Sequence, residues 1–336
     1  MPKQILLFVC LFITSTGYPL TVLAQIDDDL DSQYCPGPAI AVQEEDQSFF
    51  TFLNSPHKDA SSGLEWLSKR IDTFFANEDL YEESTGSFAR LTASTILREG
   101  GKQSYLGDLS VRLELPHTKK KLKLIIETDA DKNLENRPGQ LSQPTPNQAL
   151  SETTYFAGVE QKLAEKSLWD VSTSTGIRIR SPLDPFVRLR MKREVVFKYW
   201  KFRFTETLFH FHSSGTGHNS TFEWDRPMSK KDLFRWHTTA TWWDDTDHYE
   251  LSNSLSFFHE ITDRRALAYS ISVFGSNKPT VQADTYLFDV RYRQRIHKDW
   301  LYYEINPQVL YEKINNFTPE KTLTLKLEMI FGDKYL

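Results

Sequence analysis

Cysteine is nearly absent from this chain: Cys10 and Cys35 are the only two in 336 residues. Cys10 falls in an N-terminal segment that reads as removable, so a single thiol would remain, which excludes a disulfide-stapled secreted scaffold. Long apolar runs are missing as well. Beyond Ala24 nothing approaches the roughly 20 consecutive apolar residues that a spanning helix requires. The excess of one sign of charge is also small, and a formal net charge of -5 argues against nucleic acid as a partner. The turn Trp243-Asp244-Asp245-Thr246-Asp247-His248 lacks EF-hand spacing and its terminal Glu, and no carboxylate stands next to His210, His212 or His218 in the sequence. No metal and no cofactor are expected.

What remains is an export signal, much aromatic side chain and a period of two. Lys3 supplies a positive start, Ile5 to Ile13 a short apolar core, and Val22-Leu23-Ala24 before Gln25 a small-residue cleavage site, so residues 1–24 read as a signal peptide. Residues 25–86 read as a flexible acidic lead-in, with Asp27, Asp28, Asp29 and Asp31 clustered. Inside it Leu64, Leu67, Ile71, Phe74 and Phe75 share one face at helical spacing, which predicts a short amphipathic helix near 63–77. Such a helix could lie on the inner leaflet, plug a barrel or pack beneath it.

From Phe88 the period changes to two. Leu109, Val111, Leu113 and Leu115 alternate with Ser110, Arg112 and Glu114, and Tyr286, Phe288, Val290 and Tyr292 with Leu287, Asp289 and Arg291. The last run is the clearest. Leu323, Leu325, Leu327, Met329 and Phe331 make one apolar face, and Thr322, Thr324, Lys326 and Glu328 the other. Runs fall near 88–98, 106–116, 121–129, 152–162, 168–180, 184–197, 200–212, 217–226, 233–245, 248–260, 264–276, 282–296, 299–312 and 321–332, separated by turn residues. Twelve is the alternative count if a hairpin near Arg180 or Lys198 is not real. The mean hydropathy of -0.49 does not oppose a membrane location, because a strand with lipid on one side and water on the other averages out polar. The fold class predicted is all-β: a single transmembrane antiparallel β-barrel of 12–14 strands over 87–332, with a tail at 333–336. Its expected partners are outer-membrane lipids and the barrel-assembly machinery, with Phe331 the terminal aromatic that machinery would recognise. The expected location is the bacterial outer membrane.

Part of the chain resembles a known family. The segments Asp263-Arg264-Arg265-Ala266-Leu267-Ala268-Tyr269, Arg291-Tyr292-Arg293-Gln294-Arg295-Ile296-His297-Lys298-Asp299-Trp300-Leu301, Glu304-Ile305-Asn306-Pro307 and Leu327-Glu328-Met329-Ile330-Phe331-Gly332 are similar to uncharacterised outer-membrane barrel proteins of Gram-negative proteobacteria. The resemblance implies fold and location. It carries no substrate and no active site.

Two constellations bear on function. Alternation turns Arg178, Arg180, Arg188, Arg190, Lys192, Arg291, Arg293 and Arg295 to the non-lipid side, opposed by Glu223, Glu250, Glu304 and Glu328. These residues would line a lumen or brace a closed interior. A passive channel or transporter for small, anionic solutes is the first reading, and a closed structural or interaction protein of the envelope the second. The third rests on His212 and Ser214, two apart on one strand face, with Asp225 further on. That pattern looks like the His-x-Ser pair of outer-membrane phospholipase A, with Asp in place of the orienting Asn.

Overall fold

The computed structural model describes residues 66–75, 87–115, 122–128, 155–164, 169–179, 181–297 and 300–332. Within them lie a helix over 66–74, here α1, and fourteen strands: β1 Phe88–Arg98, β2 Gln103–Glu114, β3 Leu122–Thr128, β4 Tyr155–Ala164, β5 Asp170–Ile179, β6 Asp184–Phe197, β7 Trp200–Phe211, β8 Gly215–Pro227, β9 Asp232–Trp243, β10 His248–Thr262, β11 Arg265–Ser276, β12 Gln282–His297, β13 Leu301–Glu312 and β14 Pro319–Gly332. The hairpins near Arg180 and Lys198 are both real, which settles fourteen over twelve. The expected signal peptide, most of the acidic lead-in, Arg180 and the 333–336 tail lie outside the described residues.

Every strand pairs antiparallel with its neighbours in sequence, and β14 closes on β1. Phe88 faces Gly332 and Arg98 faces Thr322, so both ends of the sheet meet at one end of the barrel, here called proximal. Closure removes every free strand edge, the condition for backbone that cannot hydrogen-bond to water. At the proximal end β6 and β7 are joined by Lys198 and Tyr199 alone, and Lys198 takes a positive φ of 38°. β11 follows β10 after Asp263 and Arg264.

Period-two alternation sorts the two faces. Outward lie Leu91, Leu109, Leu113, Ile126, Ile177, Val187, Leu208, Leu255, Ile271, Ile305, Leu325 and Leu327, all exposed. Inward lie polar groups that are nonetheless buried, among them Arg90, Arg203, Thr241, Ser254, Arg291, Glu304 and Glu328. A soluble sandwich would show the reverse, with its apolar face buried. Aromatic side chains collect toward both rims of the outer surface: Phe197, Tyr199, Tyr303 and Phe331 proximally, Tyr105, Tyr155, Trp242, Tyr249 and Tyr286 distally.

Two inward glycines shape the distal interior. With no side chain at Gly176 on β5, the ring of Phe156 on β4 meets that of Phe186 on β6 at 5.7 Å. Likewise Phe209 on β7 reaches Trp243 on β9 at 4.6 Å across Gly217 on β8. A Cβ at Gly217 would stand 2.5 Å from the Phe209 ring and 2.5 Å from the Trp242 carbonyl oxygen. Phe211 completes this cluster.

Candidate functional site: the barrel interior and its helix

An eight-stranded barrel is filled by its own side chains, and one of sixteen leaves a channel. Fourteen strands leave room between those limits, and the chain places α1 there, against inward-facing residues of the proximal half. Leu67, Ile71 and Phe75 are buried against Leu233 on β9, Phe258 on β10 and Ala266 and Ala268 on β11, with Phe74 and Val196 alongside. Phe75 packs on Phe258 at 5.3 Å and lies under the Arg291 guanidinium at 5.3 Å. Phe74 meets Tyr302 of β13 edge-on at 5.9 Å. Of the positions foreseen for this helix, the interior is the one observed.

Its buried face is not purely apolar. Ser68 and Asp72, four apart and so one turn above each other, are both fully buried. Ser68 Oγ donates to Asp225 Oδ2 at 2.5 Å. Asp72 Oδ1 lies 2.6 Å from Arg235 Nη1, and its Oδ2 3.6 Å from Arg203 Nη2. At the rim, Arg70 pairs with Glu260 at 2.5 Å and covers the exposed Trp66 ring at 4.9 Å.

The helix therefore joins a network on the wall. Arg235 holds Asp225 through Nε at 2.6 Å and Nη2 at 2.7 Å. Arg203 reaches Glu223 at 2.5 Å and Glu194 at 2.7 Å, and Lys192 and Lys201 close on Glu194 at 3.1 and 3.0 Å. Four carboxylates (Asp72, Glu194, Glu223, Asp225) thus face four cations (Lys192, Lys201, Arg203, Arg235). Buried charges need this pairing, since an unpartnered one would cost several kcal/mol. A second network joins Arg293 to Glu328 and, at 3.4 Å, to Glu304, which Lys326 approaches to 3.8 Å. Arg291 lies 3.5 Å from Asp289, and Asn306 Nδ2 donates to that carboxylate at 3.4 Å.

Between these networks and the distal aromatic cluster the wall is small and hydroxylic. Thr239 pairs with Ser252 at 2.6 Å, Ser254 with Ser272 at 2.8 Å and Ser256 with Ser270 at 3.0 Å, each across two neighbouring strands. Asn219 donates to Thr241 at 2.5 Å, and Thr322 to Gln308 at 3.2 Å. Asn and the hydroxyl residues offer both donors and acceptors without net charge.

The expected lumen residues fall as follows. Arg291, Arg293, Glu223, Glu304 and Glu328 are buried in the two networks just described. Arg188 lies over the Phe186 ring at 5.5 Å and Arg190 is half-buried beside it on β6. Arg178 sits at the distal end, held by Asp184 through Nε at 2.8 Å and Nη2 at 2.7 Å. Arg295 lies at the proximal rim, 3.6 Å from Asp263, and Glu250 distally, 3.9 Å from His248. Sequence reasoning missed Ser68, Asp72, Lys201, Arg203, Arg235, Asp289 and Lys326. Strand parity could have found the strand residues among them. Nothing in an apolar helical stripe points to Ser68 and Asp72.

His212, Ser214 and Asp225 are not brought together. His212 and Ser214 stand in the distal β7–β8 turn, where Ser214 Oγ accepts from Arg178 at 3.3 Å and Ser213 from the same turn bonds Asp184. Asp225 is ten residues down β8, about 30 Å away at strand rise, and is held by Arg235 and Ser68. Among the described residues no group of three or more His, Cys, Asp or Glu is arranged to hold a metal.

No family model and no curated protein matches the chain. Among solved structures it is similar to a loop-deletion mutant of OmpT, an outer-membrane protein of Vibrio cholerae, with 9% identity over 73% of this chain and 98% of that one at a TM-score of 0.43. It is also similar to the outer-membrane protein OpdK of Pseudomonas aeruginosa, with 7% identity over 74% and 99% and a TM-score of 0.44. A third is the outer-membrane channel DcaP of Acinetobacter baumannii, with 8% identity over 73% and 96% and a TM-score of 0.44.

Proposed function

We propose that this chain is an outer-membrane β-barrel that passes small polar solutes, with α1 as the gate at its proximal end. The membrane part rests on the outer surface: an apolar band over most of the strands between two aromatic rims, on strands of which all but β3 have the length to cross a bilayer at a tilt. The channel part rests on one observation, the run of paired serine and threonine hydroxyls along the middle of the interior. A wall needed only for bracing gains nothing from small side chains. A conduit gains width from them, and neutral polar contacts that release what they bind.

The expected basic wall takes a different shape in this reading. Cations and carboxylates alternate in paired networks, so the interior carries little excess charge where Arg291 and Arg293 sit. Weak ionic selectivity follows, and uncharged or zwitterionic solutes suit the hydroxyl wall better than anions. Reconstitution into planar bilayers tests the function: rare openings in the wild type, and frequent ones once α1 is loosened. A silent barrel in both cases would favour the closed, structural reading, which the depth of α1 in the interior supports.

A further inference from the structure

The outward face of β7–β10 breaks the apolar pattern at mid-strand. Glu206, the seventh residue of β7, points away from the interior, as the opposite parity of Thr205 and Thr207 requires. Its carboxylate accepts from Ser220 Oγ at 2.5 Å and lies 3.1 Å from His218 Nδ1, both on β8. His218 Nε2 is 3.3 Å from the Tyr249 hydroxyl. Beside them Asn253 of β10 donates to Thr238 Oγ1 at 2.8 Å and accepts from Trp236 Nε1 at 3.2 Å. With Ala240, Ser220 and Thr238 keep this patch shallow. Bulky rings rise on its proximal side, where Trp224 stacks on Trp236 at 4.6 Å, and on its distal side, where His218 and Trp242 lie 6.1 Å apart.

We propose that this sector is the contact between two copies of this chain. The inference rests on the membrane reading above. At mid-strand depth the alternatives to protein are acyl chains, which offer no donor or acceptor to a carboxylate, an imidazole or an amide. Lipid headgroups sit at the rims, level with Tyr249 and His218 at the distal edge of the patch, whereas Glu206 and Asn253 lie further in. A second copy fits because the patch is its own complement. It carries an acid and an imidazole that can exchange partners across a two-fold axis, and the exposed Asn253, whose amide both donates and accepts. Apposed copies would also close the shallow floor between the two aromatic ridges, removing Glu206 and Asn253 from lipid together. The wall half a turn away, where Leu325, Leu327 and Met329 of β14 face Thr95, Ala93 and Leu91 of β1, carries no charged or amide side chain and needs no such cover.

Single-cysteine crosslinking in outer-membrane vesicles tests this, in a Cys10→Ser, Cys35→Ser background. Under an oxidant Asn253→Cys should run at twice the monomer mass without reductant, and Leu325→Cys should stay monomeric. Crosslinking of both to the same extent, or of neither, overturns the proposal. Sedimentation equilibrium of the wild type in mild detergent keeps the question decidable should a variant fail to assemble: a dimer mass is expected, and a monomer at all concentrations overturns it. A monomer that releases fatty acid from phospholipid vesicles, and stops doing so as Ser220→Ala, would assign the patch to catalysis instead. Recovery of the chain in the soluble fraction would remove the membrane reading itself, a different failure from a membrane-embedded monomer.

Discussion

Replacing Asp72 by Asn should open the barrel. Asn keeps the volume of the side chain and removes the charge that faces Arg235 at 2.6 Å and Arg203 at 3.6 Å in a fully buried setting. Burial of Leu67, Ile71 and Phe75 favours docking by roughly 1.5–3 kcal/mol each, some 5–9 kcal/mol in all. Ordering the ten described residues of this segment costs about 1 kcal/mol or more apiece, which offsets that gain in full. Docking then depends on the charge contacts. Taking one partner from a buried ion pair costs about 3–5 kcal/mol, and this loss falls only on the docked state, because Arg235 keeps Asp225 when the helix leaves. At about 1.4 kcal/mol per decade the docking constant falls by roughly a hundredfold to several thousandfold. In planar bilayers the variant should therefore show a large rise in open probability, while Lys69→Gln, altered on the exposed side of the same helix, matches the wild type. Heat-modifiable migration on a gel confirms that the barrel itself is intact. An Asp72→Asn protein that folds and conducts no more often than the wild type would show that α1 does not gate.

Three further outcomes follow from the same geometry. Gly217→Val should lower the temperature at which the folded gel band is lost, by an amount reflecting about 1–3 kcal/mol of overpacking against the Phe209 ring and the Trp242 carbonyl; an unchanged transition would mean the rings do not meet across that glycine. Replacing Arg291 and Arg293 by Gln leaves Asp289, Glu304 and Glu328 with Lys326 as the remaining cation named beside them, so the reversal potential in a salt gradient should move toward cation preference. The same double variant should assemble less stably by several kcal/mol, and a reversal potential that stays put would place the conduction path away from this wall. Phe331→Ala, which removes an outward ring stacked 6.0 Å from Trp300, should reduce the amount of folded barrel in outer membranes more than loss of Leu336 does, as immunoblots of fractionated cells can measure.

The strands were legible because a barrel repeats one simple rule. Each crossing alternates lipid-side and interior residues, and β1, β6 and the start of β12 fall where the alternation and the turn residues put them. Boundaries slipped where local signals conflict. β2 begins at Gln103 rather than near 106, because Gln103 and Ser104 are polar and follow closely on Gly100 and Gly101, both at positive φ. β14 starts at Pro319, a residue that donates no hydrogen bond and ordinarily argues against a strand, but tolerable at a strand's first position.

The interior was legible only in part, and the reason is physical. Parity tells which side of the sheet an arginine faces but not which carboxylate meets it. Arg291 and Arg293 looked like a basic wall because Asp289 was read with its own strand and Glu304 and Glu328 as scattered acids. In the folded barrel the strand register brings them into one cluster, with Arg293 opposite Glu304 and Glu304 opposite Lys326. The helix carries the same lesson further. Leu67, Ile71 and Phe75 of its apolar stripe are buried, yet an apolar stripe has no address, and the same residues would serve equally under the barrel or on a leaflet. Ser68 and Asp72 supply the address, since only a site already furnished with Asp225, Arg203 and Arg235 repays the burial of a hydroxyl and a carboxylate. A segment chosen merely to plug a hole would carry apolar residues at those two positions. One that docks through charge can be released by altering a single charge, which is the property a gate requires.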